Sequence, residues 1–151
     1  MTPMPGTSAG RLVLRNDLSE LRRLAGWIES WTQQSVLSPD VSFAVALCLE
    51  EAVANVIMHG GSADERLEIA VEVECDGPAL IVRVEDNGRH FDPTTAPPPP
   101  SPASLEEAKI GDVGLHLMRR LASSMHYERH DRRNRLTLRF LERDARAARQ
   151  G

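Results

Sequence analysis

Residues Phe43–Gly60, FAVALCLEEAVANVIMHG, decide how the rest of the chain is read. No Pro or Gly interrupts the run before Gly60, and Ala and Leu recur through it, which predicts a helix. Asp40 is placed to cap its start, and Gly60 with Gly61 to end it. From Val41 to Met58 the helix is apolar almost all the way round, the pattern of a helix inside a domain. Yet Glu51, Asn55 and His59 recur at i, i+4 and i+8, which stacks them along one side. A buried carboxylate or amide without partners costs free energy. Something polar must therefore face that side: other groups of the protein, water at a rim, or a ligand.

The composition narrows the classes. A chain of 151 residues is the usual size of one domain with one core, and 41% of it is apolar. The formal net charge is −4, Lys109 is the sole Lys, and no stretch is basic enough to read as a nucleic-acid footprint. No run approaches the length of a transmembrane span, and the start, MTPMPGTSAG, has no apolar signal core. Cys48 falls on the central helix and Cys75 in a strand, and neither has metal-ligand spacing. They read as reduced thiols of a cytoplasmic protein, not as a disulfide scaffold.

Working outward from the helix, residues 1–10 read as a loose tail and Arg11–Arg15 as a short strand. Asp17 is placed to cap a helix running to about Gln34, with Leu18, Leu21, Leu24, Ala25 and Ile28 at helical spacing. Downstream, Leu67–Cys75 alternates apolar and acidic residues as a half-buried strand does. Asp76-Gly77-Pro78 is a turn, and Ala79–Glu85 returns as the second strand of a hairpin. Asp86-Asn87-Gly88 ends that strand. The stretch Asp92–Lys109 holds six prolines and builds no core, so residues 93–110 read as a long loop or lid. Gly111–Ser123 opens with glycines and runs into a helix; Met125–Arg129 and Arg135–Leu141 read as strands around the turn His130–Asn134. The domain would then span residues 11–141, with 142–151 a polar tail.

Three stretches now stand in order: Glu51-x-x-x-Asn55 on the central helix, Asp86-x-Gly88 continuing to Phe91-Asp92-Pro93, and Gly111-x-x-Gly114-Leu115 at a helix start. They resemble the N, G1 and G2 boxes of the GHKL ATPases. More narrowly, EEAVANVIMHG, DNGRHFDP, GLHLMRRLAS and NRLTLRF are similar to the anti-sigma-factor serine kinases of the SpoIIAB and RsbW type. The resemblance implies an α/β two-layer sandwich, a mixed, mostly antiparallel sheet with three helices on one face, holding ATP between the central helix and the lid.

The residue chemistry fits that implication. An Asp at the end of a buried strand can accept a hydrogen bond from an exocyclic amine, by resemblance the adenine N6. Gly88 lets the backbone pass close to a ligand. Gly111 and Gly114 do the same for phosphates, before a helix whose unpaired N–H groups form an anion site. Mg²⁺ takes oxygen ligands and keeps waters, so Asn55 can supply one amide oxygen beside the phosphates. Glu51, one turn earlier, can accept the proton of an attacking hydroxyl; Glu50, about 100° round the helix, reads as outward-facing or supporting. The resemblance adds Thr137, whose hydroxyl would reach adenine through water. Two positions depart from the family pattern: His90 and Asp112 stand where glycines are usual, and each bears on nucleotide affinity.

The function implied is a cytoplasmic anti-sigma factor and protein-serine kinase. It would phosphorylate a Ser of a STAS-type anti-anti-sigma partner and hold a sigma factor or another client, as a homodimer. One alternative is an ATP-sensing protein that sequesters its client without catalysis. Another is a detached ATP-binding domain of the histidine-kinase type, since only about ten residues precede the ATPase-like region.

Overall fold

The structure, a computed structural model, describes residues 9–35, 37–60, 67–95 and 112–141, and of residues 112–115 the backbone. Five strands and three α-helices follow one another as β1 (Ala9–Arg15), α1 (Glu20–Gln34), α2 (Pro39–His59), β2 (Glu68–Asp76), β3 (Ala79–Asp86), α3 (Asp112–Leu121), β4 (Ser124–His130) and β5 (Arg133–Leu141). A 3-10 turn, Pro93–Thr95, follows β3. The strands form one sheet in the order β1-β2-β3-β5-β4, and its four pairings are all antiparallel. The helices cover one face, which gives the expected two-layer sandwich.

Strand alternation decides what meets the helices. Ile69, Val71 and Val73 of β2, Leu80, Val82 and Val84 of β3, and Leu136, Leu138 and Phe140 of β5 are buried in one core with α1 and α2. The other face carries Arg11, Glu72, Glu74 and Arg83, joined as Arg11–Glu72 at 3.5 Å and Arg83–Glu74 at 2.8 Å. β1 also takes in Ala9 and Gly10: a Cβ on Gly10 would lie 3.1 Å from the rings of Trp27 and Trp31, so the absence of one lets α1 lie against the strand.

The helix starts differ from expectation. Pro39, with φ fixed near the helical value and no N–H to lose, opens α2 at its first position. Ser38 is therefore the cap, its hydroxyl accepting from Val41 N at 3.3 Å, and Asp40 sits inside the first turn. Asp17 does not cap α1; its Oδ1 accepts from Ser19 N at 2.9 Å and shapes the turn ahead of Glu20. Gly60 ends α2 in the right-handed region, at φ −77°.

At 21 residues α2 is long and apolar enough to cross a membrane by length and composition, contrary to the reading of the sequence. In the fold it is the central core helix, with Val45, Leu49 and Val53 fully buried.

Both hairpins turn in two residues. Gly77 supplies φ +60° between β2 and β3. Asp131 and Arg132, at φ 51° and 62°, do so between β4 and β5 although neither is Gly. The expected turn His130–Asn134 is thus tighter, and Arg133 and Asn134 belong to β5.

Candidate functional site

A cleft opens where the last turns of α2 meet the ends of β3 and β5. Ala52, Asn55 and Val56 form one wall, and Val84, Asp86 and Leu136 of the sheet form another. Phe91 and Pro93 of the loop after β3, Met118 of α3 and Tyr127 of β4 close the sides. It is mostly apolar with a few convergent polar groups, the usual make-up of a small-molecule site.

Those polar groups are the buried polar side chains of the described fold: Asn55, Asp86 and Asn134 are 3%, 4% and 5% exposed. Asn55 is held by α2, and among the described residues neither its Oδ1 nor its Nδ2 has a hydrogen-bond partner. A buried amide left so costs about 1–3 kcal/mol. The cost falls away if a ligand supplies the missing partners.

Asp86 ends β3. Its Oδ1 accepts from Gly88 N at 2.9 Å and from Asn134 Nδ2 at 3.0 Å. Burial raises its pKa, opposed by the Asn134 and Gly88 hydrogen bonds and by Arg129 nearby. Asn87 points elsewhere, its Oδ1 accepting from Glu68 N at 2.8 Å at the start of β2.

The loop after β3 is pinned to α2. Arg89 N donates to Gly60 O at 2.7 Å. A Cβ on Gly88 would stand 2.3 Å from that same carbonyl oxygen. The space that the missing Cβ of Gly88 leaves is filled by the end of α2 and by Leu67. His59 stacks on Phe91 with ring centroids 4.9 Å apart, and His90 meets Tyr127 edge-on at 5.7 Å. At the far side, Asp92 Oδ1 accepts from Thr94 N at 2.8 Å, and the Arg119 guanidinium of α3 donates to Thr94 O.

Glu51 lies one turn before Asn55 on α2, half-buried, outside the residues lining the cleft. Among the described residues it makes no hydrogen bond or ion pair. Burial raises its pKa, and Glu50 is raised by burial and by Glu51. The neighbouring Cys48 thiol is pushed up to about 12 by burial and by Glu51.

Thr137 is not brought to the site. Asn134, Leu136, Leu138 and Phe140 alternate onto the helix-covered face of β5, so Thr137 falls on the opposite face, beside Arg83 and His126 in the register. The β5 polar group in the cleft is Asn134. Gly114 and Leu115 lie in the first turn of α3, whose leading N–H groups have no partner within the helix. Gly111, and residues 96–110 of the expected lid, lie outside the described residues, as does Gly61.

A family profile described as the histidine kinase-like ATPase domain matches residues 14–140. The chain belongs to that family. The serine/threonine-protein kinase BtrW of Bordetella bronchiseptica is 32% identical over 112 residues, which span 74% of this chain and 79% of BtrW. Among solved structures, the RsbU and RsbW domains of Rv1364c from Mycobacterium tuberculosis superpose with a TM-score of 0.62 at 16% identity. That match covers 89% of this chain but 32% of the mycobacterial one. The histidine kinase domain of the Erythrobacter litoralis EL346 blue-light activated kinase gives 0.54 at 14% identity, over 97% of this chain and 69% of that one. At those identities the likeness is one of fold.

An ATPase domain needs a base acceptor, a metal ligand and a phosphate cradle. Asn55, with an unpartnered amide oxygen in the cleft, fits Mg²⁺ held by one protein oxygen with waters and phosphate oxygens. No group of three or more His, Cys, Asp or Glu among the described residues could hold a metal by itself.

Proposed function

We propose that this domain binds Mg·ATP in the cleft and transfers the γ-phosphoryl group to a serine of a small STAS-type partner, in a partner-switching pathway of the cytoplasm. The observation that carries the reading is Asn55: a buried amide with both polar atoms unpartnered, beside Asp86, in an ATPase-family fold. The resemblance to anti-sigma-factor kinases and the 32% identity to a named serine/threonine-protein kinase support serine as the acceptor.

Each residue then has a task. Asp86 accepts from the adenine amine, and the Asn55 amide oxygen holds Mg²⁺, which when bound offsets the charge of the phosphates. The first turn of α3, with Gly111, Gly114 and Leu115, takes the phosphates. Glu51 is the general base. The serine oxygen bonds to the γ-phosphorus as the bond from that phosphorus to the β–γ bridging oxygen breaks. The serine proton goes to Glu51, and ADP leaves. A raised pKa brings the carboxylate closer to working pH, which favours that proton transfer. The client it holds is a sigma factor or another regulator, and the active form is a homodimer.

Glu51→Gln tests the chemistry apart from binding. Phosphate transfer from radiolabelled ATP to the co-purified partner is expected to fall by about 10²- to 10⁴-fold, with ATP affinity by calorimetry little changed. Transfer at the wild-type rate removes Glu51 from the mechanism. A second reading, an ATP-sensing protein that sequesters its client without catalysis, is favoured by the position of Glu51 outside the cleft lining. It requires that wild type bind ATP and transfer nothing; transfer to a His instead would mark a detached histidine-kinase domain.

A further inference from the structure

Asn134 opens the NRLTLRF stretch and lines the cleft, and none of the tasks above falls to it. It lies opposite Asp86 in the β3–β5 pairing and opposite Arg129 in the β4–β5 pairing. Its Nδ2 donates to Asp86 Oδ1 at 3.0 Å and to Arg89 O at 2.8 Å. Its Oδ1 accepts from Arg129 Nη1 at 2.9 Å and from the Tyr127 hydroxyl. A side-chain amide has two N–H donors and two lone pairs on its oxygen, so the whole capacity is in use. The partners also fix its orientation: a carboxylate and a carbonyl oxygen demand the NH₂ end, and a guanidinium demands the oxygen.

We infer that Asn134 is the positioning residue of base recognition: it locks the Asp86 carboxylate with one oxygen turned to the cleft, and so sets the preference for a 6-aminopurine over a 6-oxopurine. The inference rests on the reading of the cleft as an ATP site and deepens it. Both hydrogen bonds to Asp86 land on Oδ1, and among the described residues Oδ2 has none. Rotating the carboxylate would break both bonds at once. A fully satisfied buried network has one favoured arrangement, so the acceptor geometry is set before a ligand arrives. Tyr127 and Arg129 hold Asn134 in turn, and Arg129 Nη1 also donates to Gly88 O at 3.1 Å, tying the loop to the same hub.

Burial raises the pKa of Asp86, and most of the facing groups oppose that rise. Asn134, the Gly88 N–H and Arg129 oppose the effect of burial on Asp86, while Glu85 adds to it. An amine at the purine 6-position meets that acceptor as a donor. A 6-oxo group meets it as a second acceptor, leaving buried groups unpaired, the arrangement that discriminates most sharply.

The test compares dissociation constants of ATP and inosine triphosphate for wild type, Asn134→Ala and Tyr127→Phe. Wild type is expected to prefer ATP. Asn134→Ala should weaken ATP by about 10- to 100-fold, the loss of a hydrogen bond to a charged group. Inosine triphosphate should hardly change, so the ratio collapses. Tyr127→Phe keeps the ring and removes one bond to Asn134, so it should lower the ratio in the same sense by less. Equal weakening of both nucleotides in Asn134→Ala would mean a merely structural role and overturns the inference, as does an unchanged ratio. If Asn134→Ala does not fold, an unchanged ratio in Tyr127→Phe is enough to overturn it. Wild type binding ATP without preference removes this inference alone; wild type binding neither nucleotide removes the ATP reading with it.

Discussion

Helix α2 has two ends that are buried alike and do different work. Toward its start, Val41, Val45, Cys48 and Leu49 meet apolar neighbours and leave no polar side-chain atom to satisfy. At Asn55 the helix is just as dry, yet two polar atoms have no partner. The buried polar residues of the described fold all line one cleft, and two of them, Asp86 and Asn134, satisfy each other. One region therefore holds the fold together. The other is held in shape by it, at a cost in stability that a bound ligand would offset.

The largest expected effect tests the first region. Leu49 is fully buried at the centre of α2, so Leu49→Ala removes packed methyl groups and leaves a cavity. Chemical denaturation should show a loss of about 2–5 kcal/mol. A loss near zero would mean that the apolar half does not carry the fold, and the contrast would dissolve.

Asn55→Leu is the opposite case. It replaces an unpartnered amide by an apolar group of similar size. The stability without nucleotide should hold or rise, by at most about 1–3 kcal/mol, while binding of Mg·ATP by calorimetry is lost. If Asn55→Leu destabilises as Leu49→Ala does, Asn55 is a structural residue and the cleft loses its proposed metal ligand.

This contrast also marks what the sequence discloses. The all-round apolarity of α2 and the alternation of β2 placed the core, because burial shows in the pattern of residue types. The start of α2 was displaced by Pro39, whose fixed φ outweighs the capping preference of Asp40. Asp131 and Arg132 adopt positive φ without being Gly, so the tight turn carried no glycine signal and Asn134 read as part of it. That one displacement hid the hub of the cleft. Thr137 was assigned from resemblance; two-residue alternation from Leu136 and Leu138 puts it on the other face. The role expected of Gly88 missed its contact with Gly60, since the approach of two chain segments distant in sequence leaves no local pattern. The partners of Asp86 were hidden for the same reason: Asn134 lies 48 residues along the chain.

The smallest expected effect concerns the charge in the second region. Burial raises the pKa of Asp86 above its ordinary carboxylate value of 3.8, despite Asn134, Gly88 and Arg129. The folded state thus holds the proton more tightly than the unfolded chain does. The contribution of this group to stability is complete below its unfolded pKa and is lost as pH rises through the folded pKa. Asp86→Asn keeps an Oδ1 to accept from Gly88 N and Asn134 and removes the charge. Unfolding followed against pH should show mutant and wild type alike in acid, then a difference that grows in the mutant's favour and levels off. Glu50 and Glu51 are raised in the same direction, but they are common to both proteins and cancel in the difference. Nucleotide binding should run the other way. Wild-type affinity for ATP should fall as acid protonates Asp86, and the mutant should bind weakly at every pH, because its remaining NH₂ group would face the adenine amine, donor against donor. A mutant less stable than wild type at neutral pH would show that the carboxylate is part of the scaffold, and would erase the distinction between the two ends of α2.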